Sequence, residues 1–139
     1  MILLDTSGLF AALNPDQQQH EAALAVLTAE AAPLVLSPLV LAELDYLIAS
    51  RGTVEAELAL LGEVAAGAYE IAAFDSDDIR AAAAVIKRYY DLGIGLADAS
   101  LVVLAGRYGT ERILTLDERH FRVLHSPRGR AFTLLPADG

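Results

Sequence analysis

Four carboxylates stand where an apolar chain has little reason to place them. Asp5 closes the run Met1-Ile-Leu-Leu-Asp5, Glu43 and Asp98 interrupt apolar helical stretches, and Asp117 closes Arg112-Ile-Leu-Thr-Leu-Asp117. An ionised carboxylate stays among apolar side chains only when it is paired or coordinates a metal, and few basic residues lie near these positions. Carboxylates are hard oxygen ligands suited to Mg2+ or Mn2+. An ion so held can ready a water as a nucleophile and stabilise the charge that develops on the oxygens of a reacting ester such as a phosphate ester.

Helical spacing asks which way the acids face. The neighbours of Glu43 at three and four residues are Leu39, Val40, Tyr46 and Leu47, which puts Glu43 inside the apolar stripe and turns Asp45 toward solvent. Asp98 has Leu101 and Val102 one turn ahead and Ala105 two turns ahead, so it belongs to a buried face. Asp5 and Asp117 each end a predicted buried strand, and in open α/β sheets ligands bind in the crevice beyond the carboxyl ends of strands. Thr115 shares a strand side with Asp117, and Thr6 and Ser7 stand ready to donate to the same cluster. Each acid also has a plainer role open to it: Asp5 as the cap of a short helix beginning near Ser7, Asp98 as a first-turn anion favoured by the helix dipole. Asp75, Asp77 and Asp78 sit where a helix N-terminus wants acids. His20 reads as a helix-surface residue. His120 and His125 suit substrate contact better than zinc, since no second histidine or cysteine stands at ligand spacing.

These residues need elements to position them. Ile2–Leu4, Pro33–Leu36, Tyr69–Ala73, Arg112–Asp117 and Phe132–Leu135 read as strands. Asn14-Pro-Asp-Gln opens a predicted helix to about Glu30; further helices run from Ser37-Pro38 to about Ser50, after a break at Arg51-Gly52-Thr53 to about Ala66, and from Asp75 to Tyr90. Two glycines in Asp91-Leu-Gly-Ile-Gly95 precede an almost wholly apolar helix from Leu96 to Tyr108, which must be central and covered. Glu118–Val123 reads as a helical turn. Short apolar strands separated by helices predict a parallel sheet covered on both faces.

At 139 residues the chain makes one domain, residues 1–139, that folds without staples, and with no cysteine it has no disulfide, thiolate site or thiol nucleophile. Its apolar start lacks a positive flank and is broken by Asp5, so it reads as a strand and not as a signal peptide, and no apolar run is long enough to span a bilayer. A cytoplasmic protein is expected. The formal net charge of −9 argues against nucleic acid as a partner, but its distribution does not: from Arg112 to Arg130 five arginines face two acids, net +3, which leaves −12 for the rest. A basic rim on an acidic body, beside a candidate catalytic acid, suits a phosphate backbone.

With Asp5-Thr-Ser, Glu43 in an apolar helix, Leu96-Ala-Asp98-Ala and Thr115-Leu-Asp117 in this order, the chain resembles the PIN-domain ribonucleases and within them looks most like the VapC toxins of bacterial toxin-antitoxin pairs. The resemblance spans essentially the whole chain, including His120-Phe121 after the last acid. It implies a three-layer α/β/α sandwich with a parallel sheet of about five strands and an endoribonuclease leaving 5′-phosphate and 3′-hydroxyl ends. It also implies Mg2+ or Mn2+ held by Asp5, Glu43, Asp98 and Asp117, with the hydroxyl of Ser7 or Thr115 in support. Asp5 and Asp98 are expected to carry the principal ion, and Arg119, His120 and Arg122 to touch RNA. A cognate antitoxin and a homodimer are implied as partners.

Other readings fit less well. A response-regulator receiver needs a second acid beside Asp5 and a lysine after a late strand, and the one lysine, Lys87, lies in a predicted helix. A haloacid-dehalogenase-like phosphatase needs an aspartate where Ser7 stands. Gly93-Ile-Gly95 lacks the preceding strand of a dinucleotide fingerprint. A non-catalytic PIN-like module that binds RNA or protein remains the alternative of a different class.

Overall fold

The sheet begins at its centre. In a computed structural model, which describes residues 1–139, β1 (Ile2–Leu4) pairs in parallel with β2 (Leu34–Leu36) on one side and β4 (Arg112–Leu114) on the other. The outer strands are β3 (Glu70–Ile71), beside β2, and β5 (Thr133–Leu135), beside β4, giving the order β3-β2-β1-β4-β5. Leu3 is in register with Val35 and Ile113, and all three are fully buried. Strands buried on both faces need no polar alternation, which is why three-residue runs such as Ile-Leu-Leu and Leu-Val-Leu suffice.

The helices are α1 (Thr6–Leu13), α2 (His20–Ala29), α3 (Pro38–Arg51), α4 (Val54–Ala65), α5 (Ser76–Arg88), α6 (Leu96–Tyr108) and the short α7 (Glu118–Phe121), with a 3-10 turn at Tyr90–Leu92. Parallel connections are right-handed, which places the helices before β3 over one face and those after it over the other. The packing agrees: α1 meets α2 and α3, α3 meets α4, and α5 meets α6. The result is a three-layer α/β/α sandwich, as expected. Helix starts follow their capping chemistry. Ser37 Oγ accepts from the N–H of Leu39, Thr53 Oγ1 from that of Ala56, and Asp75 and Asp78 form a reciprocal capping box. Gly109, at a φ of 67°, ends α6 in the left-handed region. The helix expected over Leu96–Tyr108 forms with those bounds, and seven of its residues are buried.

Three expectations need correcting or sharpening. The helix expected from Asn14 onward starts only at His20. Asn14 instead ends α1, and its Oδ1 accepts the N–H of Asp16 at 3.0 Å, a side-chain turn in place of a cap. His20 is half-buried, its Nδ1 2.9 Å from the carbonyl of Ala11, which ties the start of α2 to α1. Secondly, the short helix expected near Ser7 begins at Thr6 as α1, directly after Asp5, and Gly8 lets that helix lie directly on the end of β4: a Cβ there would overlap the Leu114 carbonyl. Thirdly, β4 stops at Leu114, so Asp117 lies beyond the strand and caps α7. No helix is long and apolar enough to cross a membrane.

Among the helical glycines, Gly8 and Gly62 make opposite predictions. Gly8→Ala should lower the melting temperature, at a cost of about 1–3 kcal/mol for an overpacked contact. Gly62→Ala, where nothing lies within 4 Å of the added carbon, should stabilise by about 0.5–1 kcal/mol. Thermal unfolding of the two variants beside wild type checks both signs.

Candidate metal centre

Strand order fixes where a site can form. The chain leaves β1 toward β2 and leaves β4 toward β5, in opposite directions, so the crevice between the ends of β1 and β4 is the switch point of the sheet. Asp5 follows β1 directly, and its backbone N–H donates to the Leu114 carbonyl at 3.0 Å, joining the two strand ends. Asp5 occupies the N-cap position of α1, yet its side chain makes no capping hydrogen bond. Its Oδ2 instead accepts from Thr115 Oγ1 at 2.6 Å and from Ser7 Oγ at 3.0 Å.

Those two hydroxyls tie the strand ends together. Thr115 Oγ1 donates to Asp5 and accepts the N–H of Asp117 at 2.9 Å; Ser7 Oγ accepts the N–H of Leu116 at 3.0 Å and lies 3.3 Å from Thr115 Oγ1. Thr6, the next residue, turns the other way and donates to Glu43 Oε1 at 2.8 Å. Thr6, Ser7 and Thr115 were all legible as donors.

The remaining acids arrive on helices. Asp98 stands in the first turn of α6, whose position is fixed by a buried hydroxyl pair, Ser37 Oγ to Ser100 Oγ at 2.8 Å, linking it to the start of α3. Asp117 caps α7: its Oδ1 accepts the N–H of His120 at 3.0 Å. The His120 ring then lies between two carboxylates, Nδ1 being 2.9 Å from Asp98 Oδ2 and 3.0 Å from Asp117 Oδ2. Donor atoms of Asp98, Asp117 and His120 all fall within 4.8 Å of one another.

Electrostatics join the four acids. Burial, with the side chain of Asp5 almost wholly covered, pushes its carboxyl up to about 6; the Thr115 bond opposes this, the charge of Asp98 adds to it, and the Ser7 bond opposes it again. Asp98 is also raised, first by burial, with the bond and charge of His120 opposing and the charges of Asp117 and Glu43 adding. No lysine or arginine forms an ion pair with any of the four. A crowded set of oxygen donors with no lysine or arginine counter-charge could hold a divalent metal ion.

Several expected placements differ. Glu43 is exposed, whereas Asp45 is half-buried with its Oδ1 unpartnered; it lies beside Glu57 of α4, whose carboxyl is pushed up by the contact. The cause is that α3 is apolar on more than one side. Its core line runs through Val40 and Leu44, and Tyr46, 72% exposed, belongs to an outer line with Glu43. His120, expected at the surface for RNA, is turned inward because it is the third residue after a cap and its side chain leans back along the helix. Asp117-x-x-His120 was the available signal. Arg122 is tied to Glu118 and Asp138 at 2.9 and 2.7 Å, Arg112 to Glu30, and Arg128 to Glu111. The basic rim is thus largely neutralised by acids of the body, and only Arg119 and Arg130 of the five are exposed without an ion pair. His125, 3.0 Å from the carbonyl of Val123 through Nδ1, stands apart from the acids.

Comparison with known proteins gives a consistent answer. The family model of the PIN domain matches residues 2–125. The chain is 47% identical over 135 residues to Ribonuclease VapC26 of Mycobacterium tuberculosis, covering 97% of this chain and 100% of that protein. The crystal structure of VapC20 from Mycobacterium tuberculosis, described as a Sarcin-Ricin loop cleaving toxin, superposes with a TM-score of 0.78 over 84% of this chain and 90% of its own, at 20% identity, a likeness of fold.

The Asp5 environment sets two expectations. Its carboxyl binds a proton more tightly folded, near pH 6, than unfolded, near 3.8, so its contribution to metal-free stability is fully present below about pH 3.8 and is lost as pH rises through 6. Asp5→Asn should therefore gain on wild type by roughly 3 kcal/mol between pH 4 and 7 in chemical denaturation without metal. Thr115→Val removes a donor to Asp5 and an acceptor for Asp117, and should cost about 1–3 kcal/mol by the same assay.

Proposed function

The chain belongs to the PIN-domain family, and on that premise we propose that it is a metal-dependent endoribonuclease that hydrolyses RNA phosphodiester bonds as the toxin of a toxin-antitoxin pair. The observation that supports this is the grouping of Asp98 and Asp117 with His120, donor atoms within 4.8 Å of one another, with the charge of Asp98 felt at Asp5, Glu43 bonded to Thr6, and no lysine or arginine paired with any of the four acids. Likeness to a ribonuclease over nearly the whole chain supports it.

In this reading Asp5 and Asp98 carry the principal ion, Mg2+ or Mn2+, and Glu43 and Asp117 serve as further ligands or orient its waters. When bound, a divalent ion supplies positive charge against the oxygens that gain charge as phosphorus is attacked. The chain's own part is preorganisation. Ser7 and Thr115 hold one oxygen of Asp5, Thr6 holds one oxygen of Glu43, and the first turn of α6 favours an anion at Asp98. Arg119 and Arg130 remain for contact with the RNA backbone.

Two protein partners belong to the reading: an antitoxin and a second copy of the chain. Exposed Tyr46, Val54 and Leu58 on α3 and α4 supply apolar surface for such contacts. A cytoplasmic setting follows from a role on cellular RNA.

The test compares wild type with Asp98→Asn on total RNA, each with Mg2+, with Mn2+ and with a chelator. Cleavage is expected only in the metal-loaded wild type, with a loss of at least about a hundredfold in the variant. The metal-free variant should melt no lower than wild type, because one of several repelling acids is gone. A folded wild type that binds metal but cuts no RNA would favour a PIN-like binding module.

A further inference from the structure

We infer that His120 is itself a ligand of the ion, through Nδ1, and that this nitrogen shifts the site's preference from Mg2+ toward first-row transition ions such as Mn2+; the inference rests on the metal-dependent reading above. The ring does not merely lie near the acids. A single atom, Nδ1, faces Asp98 Oδ2 at 2.9 Å and Asp117 Oδ2 at 3.0 Å. Ligands adjacent on an octahedron of about 2.1 Å bonds stand about 3 Å apart, so Nδ1 stands from each carboxylate oxygen at the spacing of two donors that share one ion, and donor atoms of all three residues lie within 4.8 Å of one another.

The backbone holds the ring there. Asp117 caps α7, the N–H of His120 is bound by Asp117 Oδ1, and a side chain at that position of a helix returns toward the cap. The ring is only 18% exposed, and its other nitrogen, Nε2, makes no hydrogen bond within the chain. Without an ion Nδ1 carries a proton toward the two carboxylates. A cation entering between them would displace that proton and take the Nδ1 lone pair, and Nε2, which has no partner within the chain, would keep the other ring proton, the tautomer a ligand needs. No other cationic or nitrogen-bearing side chain pairs with Asp98 or Asp117. Imidazole nitrogen suits first-row transition ions, whereas Mg2+ takes oxygen donors and water. One nitrogen among carboxylates thus discriminates between two ions that an all-oxygen site would treat more alike.

Pulsed electron paramagnetic resonance of the Mn2+-loaded protein reads the nitrogen directly, and calorimetric titration with Mn2+ and Mg2+ reads the preference. Wild type should show 14N modulation that disappears in His120→Ala. The Mn2+ dissociation constant should rise about tenfold or more in that variant while the Mg2+ constant changes less than about twofold. The other two histidines are internal controls, since His20 and His125 bond to carbonyls elsewhere and remain in the variant. Should His120→Ala fail to fold, the wild-type spectrum and His120→Gln decide the matter. Mn2+ that binds wild type, is lost in Asp98→Asn and shows no 14N modulation would overturn this inference and leave the metal-dependent reading standing. Absence of any Mn2+ or Mg2+ binding that depends on Asp98 would sink both.

Discussion

Asp5 is an ionisable group placed at the bottom of a crevice between two strands, and the surrounding structure is shaped by the need to hold it there. Its burial raises the cost of its charge, and two hydroxyls on one oxygen offset part of that cost. The same hydroxyls accept backbone N–H groups from residues 116 and 117, so holding the carboxylate and closing the end of β4 are a single task. Gly8 belongs to this arrangement too. The helix that carries Thr6 and Ser7 must lie on the Leu114 carbonyl for either hydroxyl to reach its partner, and no side chain fits between them.

Around that knot the other acids are delivered by elements anchored elsewhere. Asp98 depends on α6, which the buried Ser37 and Ser100 hydroxyls fasten to α3. Glu43 depends on α3 in turn, and the four-residue α7 sets Asp117 and His120 together. The four carboxylates therefore come from four different elements or junctions, and none can approach another unless the sheet order is right. Mutual repulsion among them is balanced by the apolar packing of β1, β4 and α6, most of whose apolar side chains are buried.

Much of this was legible in the sequence. The strands were visible because runs such as Ile2–Leu4 are apolar on both faces, α3 and α5 because Ser37-Pro38 and Asp75 mark their starts by capping chemistry, and α6 because it follows two glycines and is almost wholly apolar. The acids were visible as charges in apolar company. What escaped notice depended on distances between segments far apart in the chain. Nothing local distinguishes Asn14 as a turn from Asn14 as a cap, or reveals that α1 needs a glycine to touch β4. The facing of Glu43 and Asp45 was ambiguous because α3 is apolar on two lines, and only packing against the core chooses between them. The arginines read as a free basic rim because Glu30, Glu111 and Asp138, which neutralise three of them, lie outside the stretch or at its far end.

The hydrogen bond between Asp5 and Thr115 spans 110 positions of the chain, and this has a consequence in time. During synthesis Asp5 and Glu43 emerge early, while Thr115, Asp117 and His120 follow only after α4, β3, α5, α6 and β4 have been made. At that early stage a growing chain has half of the acids and, of the hydroxyl knot, only the Ser7 side. The crevice cannot close until β4 has been laid beside β1, so the site comes into being late, as one of the final acts of folding.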